Sequence, residues 1–225
     1  MVLPGQFLER ATLIPCGDLV LEGLWHRGEN LPAMLICPPH PLQGLSMDSP
    51  VCAELAFACS RRGHATLRFN YRGAGASQGA LTGDLQRCVD DAAAALAVLA
   101  ESVGSRELAV AGYDFGAAVA LELAKRVGDL ESVVLVAPKA EGYDFAGLAS
   151  LSAQGLILVG EHDKSVDRLA LANLCQQMGD QLEVIEEADH VFSRGLTQLG
   201  QAVGRFIGDA DGPMPAERKN EDDWL

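Results

Sequence analysis

The stretch Gly112-Tyr113-Asp114-Phe115-Gly116 decides how this chain folds. The run before it, residues 107–112, is short, apolar and rich in β-formers, which predicts a buried strand. The run after it, residues 117–128, holds good helix formers, two cations near its end and a closing glycine, which predicts a helix. A strand that turns sharply into a helix, with small residues on both sides of one central side chain, is the layout of a nucleophile elbow. Serine is the usual central residue, and this chain has Asp114 instead.

Length, composition and charge are those of an ordinary globular chain. The 225 residues, 48% hydrophobic and 21% charged, predict one α/β domain that can bury a sizeable core. The formal net charge of -14 disfavours nucleic acid and anionic membrane surfaces as partners. No apolar run is long enough to span a bilayer, and the N-terminus has no basic segment followed by an apolar one.

The six cysteines are scattered and have no C-x-x-C spacing. This distribution indicates neither a zinc site nor a disulfide framework, and it favours a reduced, cytoplasmic location. No metal or organic cofactor is implied. A small-molecule substrate is the expected partner, and the sequence leaves a homodimer open.

Patterns typical of strands alternate along the chain with patterns typical of helices. This alternation predicts right-handed crossovers and a mostly parallel central sheet flanked by helices. The domain is predicted to span residues 1–208, and the acidic, proline-containing residues 209–225 are predicted to be a disordered tail. The predicted strands are residues 11–16, 19–25, 33–37, 65–69, 107–112, 132–136, 156–159 and 182–185. The predicted helices are about residues 50–62, 84–100, 117–127, 165–178 and 196–207.

Three chemically versatile side chains, Asp114, Asp163 and His190, each follow a predicted strand. Ligands of such sheets bind beyond the carboxyl ends of the strands. The order of the three is that of the nucleophile, acid and histidine in α/β-hydrolases. Singly, Asp163 has an ordinary explanation as the cap of the next helix, and His190 as a loop histidine. Together with the elbow they predict a triad in which Asp163 orients His190 and His190 is the base.

A second G-x-S-x-G run, residues 75–79, contains Ser77. Residues 70–74 separate it from its strand and residues 79–83 separate it from the next helix, so no tight strand-to-helix turn forms there. Ser77 is therefore not expected to be a nucleophile. The same glycines fit neither a dinucleotide-binding fingerprint nor a P-loop.

Over about residues 10–208 the chain resembles small α/β-hydrolases without a cap domain, of the dienelactone-hydrolase-like kind. Residues 37–48 (CPPHPLQGLSMD) look like that family's C-H-P-H-P-x-x-G-G-x-M segment. Residues 67–79 (LRFNYRGAGASQG) look like its L-R-F-N-F-R-G-x-G-x-S-x-G. Residues 112–117 (GYDFGA) look like G-Y-S-F-G-A, and the segments around Asp163 and His190 match the acid and histidine segments. The resemblance implies the α/β-hydrolase fold and a small ester or lactone as substrate.

The chain departs from that family at three positions. Pro38 replaces a histidine and Leu45 replaces a glycine, both in the loop expected to form the oxyanion hole, and Asp114 replaces the serine. By resemblance, the backbone N–H groups of Phe115 and Leu42 would form this hole.

His40 and Arg72 lie on loops at the same edge of the predicted sheet and are candidates for the substrate pocket. A structural role stays open for both of them. His40 would then be hydrogen-bonded within its own loop, and Arg72 would belong to an ion pair.

Asp114 changes the expected chemistry. A carboxylate with an ordinary pKa near ~3.9 is already ionised at neutral pH, and the start of the following helix favours the anion. Its attack on an acyl carbon gives a mixed anhydride, so sp³ carbons suit it better. By resemblance, haloalkane dehalogenases and epoxide hydrolases use that scheme, but they carry Trp after the aspartate and a cap domain. Here Phe115 follows, and residues 139–155 are too few for a cap.

Three hypotheses follow from the sequence. The first is a hydrolase-type protein that acts on a small ester, lactone or related substrate, with Asp114 at the nucleophile position. The second is an aspartate enzyme, either a covalent hydrolase of alkyl electrophiles or a non-covalent acid/base lyase or isomerase. The third is a catalytically silent binding protein of hydrolase lineage.

Overall fold

A computed structural model describes residues 8–139, Phe145, Gly147, 151–178 and 181–208. The predicted disordered tail, residues 209–225, lies outside the described residues. The strands are Glu9–Cys16 (β1), Leu19–His26 (β2), Asn30–Cys37 (β3), His64–Phe69 (β4), Leu108–Tyr113 (β5), Ser132–Val136 (β6), Gln154–Gly160 (β7) and Gln181–Ile185 (β8). The helices are Pro50–Arg61 (α1), Leu85–Val103 (α2), Phe115–Val127 (α3), Arg168–Met178 (α4) and Leu196–Ile207 (α5), with a short 3-10 helix at Pro41–Gln43.

The described strands form one eight-stranded sheet in the order β1-β2-β4-β3-β5-β6-β7-β8. The β1–β2 hairpin and the β2–β4 pair are antiparallel, and the other neighbours are parallel. The predicted mostly parallel sheet flanked by helices is thereby confirmed. Because β5, β6, β7 and β8 are parallel neighbours, their carboxyl ends meet at one edge of the sheet, where parallel α/β folds bind ligands.

Side chains of the central strands alternate between the two faces of the sheet, as the pleat requires. On β3, Leu35 and Cys37 are buried against α2 and α3. Met34 and Ile36 are buried on the opposite face against α1 and α5. The two resulting cores hold the strands rigid from both sides. Among the described residues, no helix is both long and apolar enough to cross a bilayer.

Two predicted details of the helices are wrong. The sequence Asp48-Ser49-Pro50 predicts a helix that starts with a capping side chain followed by proline. Helix α1 does begin at Pro50, but its N-cap residue Ser49 makes no side-chain cap hydrogen bond, and Asp48 instead lies 3.2 Å from Arg68. Helix α4 begins three residues later than the predicted Ser165. The reason is that the backbone N–H of Ser165 is hydrogen-bonded to a carboxylate in the preceding turn.

Candidate active site

The elbow at the end of β5 is a strained turn. Asp114 has φ 56° and ψ -115°, outside the conformations that non-glycine residues ordinarily adopt. Its backbone N–H donates to the carbonyl of Val136 on β6 at 2.9 Å, and its carbonyl accepts the N–H of Ala117 at 3.1 Å. These bonds hold the Asp114 side chain above the end of the sheet.

The two flanking glycines permit close backbone packing at the elbow. A Cβ added to Gly112 would lie 2.0 Å from the carbonyl oxygen of Gly116. A Cβ added to Gly116 would lie 2.2 Å from the carbonyl oxygen of Cys37 on β3. Both clashes are with backbone atoms, so side chains at these two positions would push the turn away from the sheet.

The acid lies in the turn that follows β7. Asp163 is buried, and its Oδ1 accepts hydrogen bonds from the N–H of Ser165 at 2.9 Å and from the hydroxyl of Ser165 at 2.7 Å. Its Oδ2 lies 2.7 Å from Nδ1 of His190. Asp163 therefore has both oxygens engaged, which fixes the orientation of its carboxylate toward His190.

His190 follows β8 and lies between the two aspartates. Its Nδ1 contacts Asp163, and its Nε2 lies 3.4 Å from Oδ1 of Asp114. The hydroxyl of Tyr113 donates to the His190 carbonyl at 3.1 Å and so ties the histidine loop to the elbow strand. The structure thus brings the three predicted residues together, with the imidazole of His190 between the carboxylate of Asp114 at the nucleophile position and the carboxylate of Asp163.

A fourth charged group, which the sequence analysis missed, completes the site. Lys139 places its Nζ 2.7 Å from Oδ1 of Asp114. The Asp114 side chain is 4% exposed and that of Lys139 is 32% exposed, so a partly exposed ammonium pairs with a buried carboxylate. Lys139 is a charged residue three positions after the end of the strand Ser132–Val136. A chemically versatile side chain soon after a strand is the same signal that identified Asp114, Asp163 and His190.

Lys139 and His190 both favour the ionised form of the Asp114 carboxylate. Burial by itself would raise the pKa of Asp114, but the contacts with His190 and Lys139 and the backbone N–H of Phe115 outweigh it and lower this pKa. Conversely, Asp114 is the largest influence on His190 and raises the imidazole pKa. Burial opposes that effect, and Asp163 adds to it. Among the described residues, no donor is aligned with Oδ1 of Asp114 well enough for a hydrogen bond, so the contacts with Lys139 and His190 are defined by distance alone.

These directions give a prediction for pH dependence. Because the folded-state pKa of His190 is raised, its interactions stabilise the fold below the ordinary histidine pKa near ~6.5 and are lost as pH rises through the folded value. Those of Asp114, whose pKa is lowered, are present above about 4 and are lost in acid. His190→Gln should therefore cost more free energy of unfolding near pH 5.5 than near pH 9, measured by urea denaturation. A cost that is constant or grows with pH contradicts this assignment.

The two predicted oxyanion-hole donors have different partners in this structure. The backbone N–H of Phe115 interacts with the Asp114 carboxylate and contributes to its lowered pKa. The N–H of Leu42 donates to Nδ1 of His40 at 3.2 Å, and Leu42 is 57% exposed. The His40 ring packs on the ring of Phe115 with centroids 4.6 Å apart. His40 thus caps the short helix beside the elbow, and the roles of Leu42 and His40 toward a substrate stay predictions.

Arg72 has a structural partner. Its Nη2 lies 2.6 Å and its Nε 2.9 Å from Oδ1 of Asp91, and its backbone N–H donates to Asp91 Oδ2 at 2.8 Å. Asp91, on α2, is fully buried. The structure shows the ion pair that the sequence left open, and a place for Arg72 in a substrate pocket stays a prediction. No cluster of three potential metal ligands occurs in the part of the chain that the structure describes.

Known proteins resemble this chain in both sequence and fold. A family model described as serine aminopeptidase, S33, matches residues 41–144, which include Asp114 but end before Asp163 and His190. The chain is 27% identical to the uncharacterized protein RP471 of Rickettsia prowazekii, with 79% of each chain covered.

Two solved structures show the same architecture. A protein of Coxiella burnetii, described as an alpha-beta serine hydrolase homologue, is 28% identical with a TM-score of 0.80, over 90% of this chain and 99% of that one. A Xanthomonas campestris protein, described as a member of a/b serine hydrolase without lid, is 24% identical with a TM-score of 0.76, over 92% and 96% of the two chains. This chain therefore has the α/β-hydrolase fold. The likenesses support a hydrolase-type function.

Proposed function

We propose that this chain is a hydrolase that acts on a small ester, lactone or related substrate, with Asp114 at the nucleophile position. The observation that carries the proposal is the placement of His190. Its Nδ1 is 2.7 Å from the buried Asp163, and its Nε2 points toward Asp114 at 3.4 Å. This is the arrangement by which an acid orients a histidine toward an elbow residue.

On an ester, the Asp114 carboxylate would bond to the acyl carbon and expel the alcohol as its anion, leaving a mixed anhydride. Water would then attack the anhydride, His190 would take the proton of that water, and the carboxylic acid would leave while Asp114 is regenerated. A carboxylate is a better leaving group than an alkoxide, so the first step favours substrates with acidic leaving groups, such as aryl or enol esters.

The charge on Asp114 links these two steps. Asp114 is the largest cause of the raised pKa of His190. When the carboxylate becomes part of an anhydride or ester, its negative charge disappears, and the imidazole then loses its proton more easily. A larger fraction of His190 would therefore be unprotonated, and able to accept a proton from water, at the stage that needs a base.

The test of the acyl pocket is hydrolysis of p-nitrophenyl acetate by this chain and by Asp114→Ser, in which a hydroxyl replaces the carboxylate beside His190. Activity of the serine variant that depends on His190 supports an ester- or lactone-type site. Loss of activity in both Asp114→Ser and Asp114→Ser/Lys139→Met, with an intact fold, would exclude that site.

A second candidate is covalent hydrolysis of an alkyl electrophile, which the buried and ionised carboxylate of Asp114 favours. The carboxylate oxygen would bond to an sp³ carbon as the carbon–halogen or epoxide carbon–oxygen bond breaks. Water would then attack the Asp114 carbonyl carbon, lose its proton to His190, and release the alcohol.

For this candidate, a single turnover of styrene oxide or 1-bromobutane in H2(18)O should leave the label in the Asp114 carboxylate, because the alcohol carries away an oxygen of Asp114. Mass spectrometry of the peptide that contains Asp114 measures the label, and Asp114→Asn should carry none after one turnover. Label in the first product, with none in the peptide, would contradict the covalent route.

A further inference from the structure

Lys139 reaches the site by a second strained turn. Strand β6 ends at Val136, and Ala137 follows with φ 45°, a conformation that non-glycine residues rarely adopt. The N–H of Ala137 donates to the carbonyl of Leu158 at 2.8 Å, which holds the turn against β7. The buried Pro138 comes next and directs Lys139 toward the elbow. Strained non-glycine residues tend to occur at functional sites.

Lys139 and His190 share a single oxygen of Asp114. Oδ1 lies 2.7 Å from the ammonium of Lys139 and 3.4 Å from Nε2 of His190. Coulombic attraction falls with distance, so the ammonium is the stronger partner of this carboxylate. His190 therefore faces an oxygen that already has an ammonium beside it.

This competition matters because an aspartate at the elbow favours protonation of His190, which is the proposed base. In a serine triad one carboxylate faces the histidine, whereas here Asp114 and Asp163 face it from both sides. Two carboxylates favour the imidazolium, which cannot accept a proton. A fixed cation beside Asp114 counters this effect.

We propose that Lys139 is a positioning residue for His190. Its ammonium pairs with Asp114 and compensates the negative charge of that carboxylate, so the imidazole is less readily protonated and can act as a base. The catalytic meaning of this role rests on the proposed function. The charge effect itself does not, because it concerns the free protein.

The groups that face His190 come from four elements. They are Asp114 at the elbow, Asp163 and Ser165 in the turn after β7, Tyr113 on β5, whose ring centroid is 5.9 Å from that of the imidazole, and Lys139 after β6, through Asp114. Of these groups, Lys139 carries the permanent positive charge, so the direction in which its removal changes the acid dissociation constant of His190 is defined. The acid dissociation constant of His190 should fall when Lys139 is neutralised.

The experiment is an NMR titration of His190 in the full chain without substrate, with its signal assigned by its loss in His190→Gln. Lys139→Met is expected to lower the acid dissociation constant of the imidazolium about tenfold, which raises its pKa. Lys139→Arg keeps the charge and should restore the original titration. Lys125→Met is the matched control, because Lys125 is 28% exposed and pairs with Glu122 at 2.6 Å on α3.

An unchanged titration in folded Lys139→Met would overturn the inference, as would an equal change in Lys125→Met. Failure of the proposed function is recognised separately, by Asp114→Ser protein that does not hydrolyse esters while the titration still depends on Lys139.

Discussion

Asp114→Ser is expected to hydrolyse p-nitrophenyl acetate about a hundredfold or more faster than the unchanged chain. The reason lies in the balance of leaving groups. The tetrahedral adduct of Asp114 with the ester expels the carboxylate more readily than nitrophenolate and so reverts to the ester. A serine alkoxide is a poorer leaving group than nitrophenolate, so the serine adduct goes on to the acyl-enzyme. His190 is already held by Asp163 at 2.7 Å, so the hydroxyl of a serine at this elbow would meet an oriented base. The measurement is the release of nitrophenolate under steady-state conditions.

The control for this prediction is His190→Ala in the serine background, which should remove about a hundredfold or more of the gained activity. A gain that survives the loss of His190 would come from a surface nucleophile and would contradict the triad. A second possible cause of an inactive serine variant is the ammonium of Lys139, which loses its partner carboxylate in Asp114→Ser. The double variant Asp114→Ser/Lys139→Met removes this ammonium and so tests that cause. If both serine forms are folded and inactive, the pocket is not an acyl site, and alkyl electrophiles and ligand binding become the remaining functions.

Asp91→Ala is expected to reduce the free energy of unfolding by about 3–5 kcal/mol, the usual cost of leaving a buried charge unpaired. Asp91 is fully buried and accepts hydrogen bonds from the backbone N–H, Nε and Nη2 of Arg72. It also accepts the thiol of Cys16 at 3.4 Å. In this variant the guanidinium, only 17% exposed, would lose its counter-charge. For a chain of this size the melting temperature should fall by about 10 °C.

The adjacent Asp90 provides the matched control. It lies on the same helix and pairs with Arg126 at 2.7 Å, but both side chains are about half exposed. Asp90→Ala should cost about 1 kcal/mol or less, because water screens an exposed pair. Equal effects of the two substitutions, measured by urea denaturation, would show that the Arg72 pair is not a structural anchor of the loop after β4.

Much of the fold could be predicted because its determinants are local. The elbow was recognisable from Gly112 and Gly116, since close backbone approaches admit no side chain at either position. The start of α4 was wrongly predicted. A capping-type residue followed by helix formers favours a helix from about Ser165, but Asp163 bonds the N–H and hydroxyl of Ser165 and keeps those residues in a turn. The demands of the site outweighed the local propensity there.

The site was predicted less completely than the fold. Asp114, Asp163 and His190 were found because each follows a strand and their order is distinctive. Lys139 also follows a strand, but lysines are common on surfaces, and no spacing rule links it to the elbow. That Arg72 pairs with Asp91, and that the N–H of Leu42 bonds to His40, also required coordinates.

Local sequence sets the alternation of strands and helices, the turn at the elbow and the placement of three chemical groups at the ends of parallel strands. Periodicity, glycines and prolines act over a few residues, so these features are encoded by residues that are close together in the sequence. Which charged side chains come into contact depends on the three-dimensional fold. Strand pairing aligns β5 with β6, Asp114 bonds to Val136, and the turn at Ala137 then directs Lys139 to the carboxylate. Contacts between residues far apart in the chain depend on the register of the sheet and the path of its loops, because electrostatic interactions depend on distances of a few ångströms.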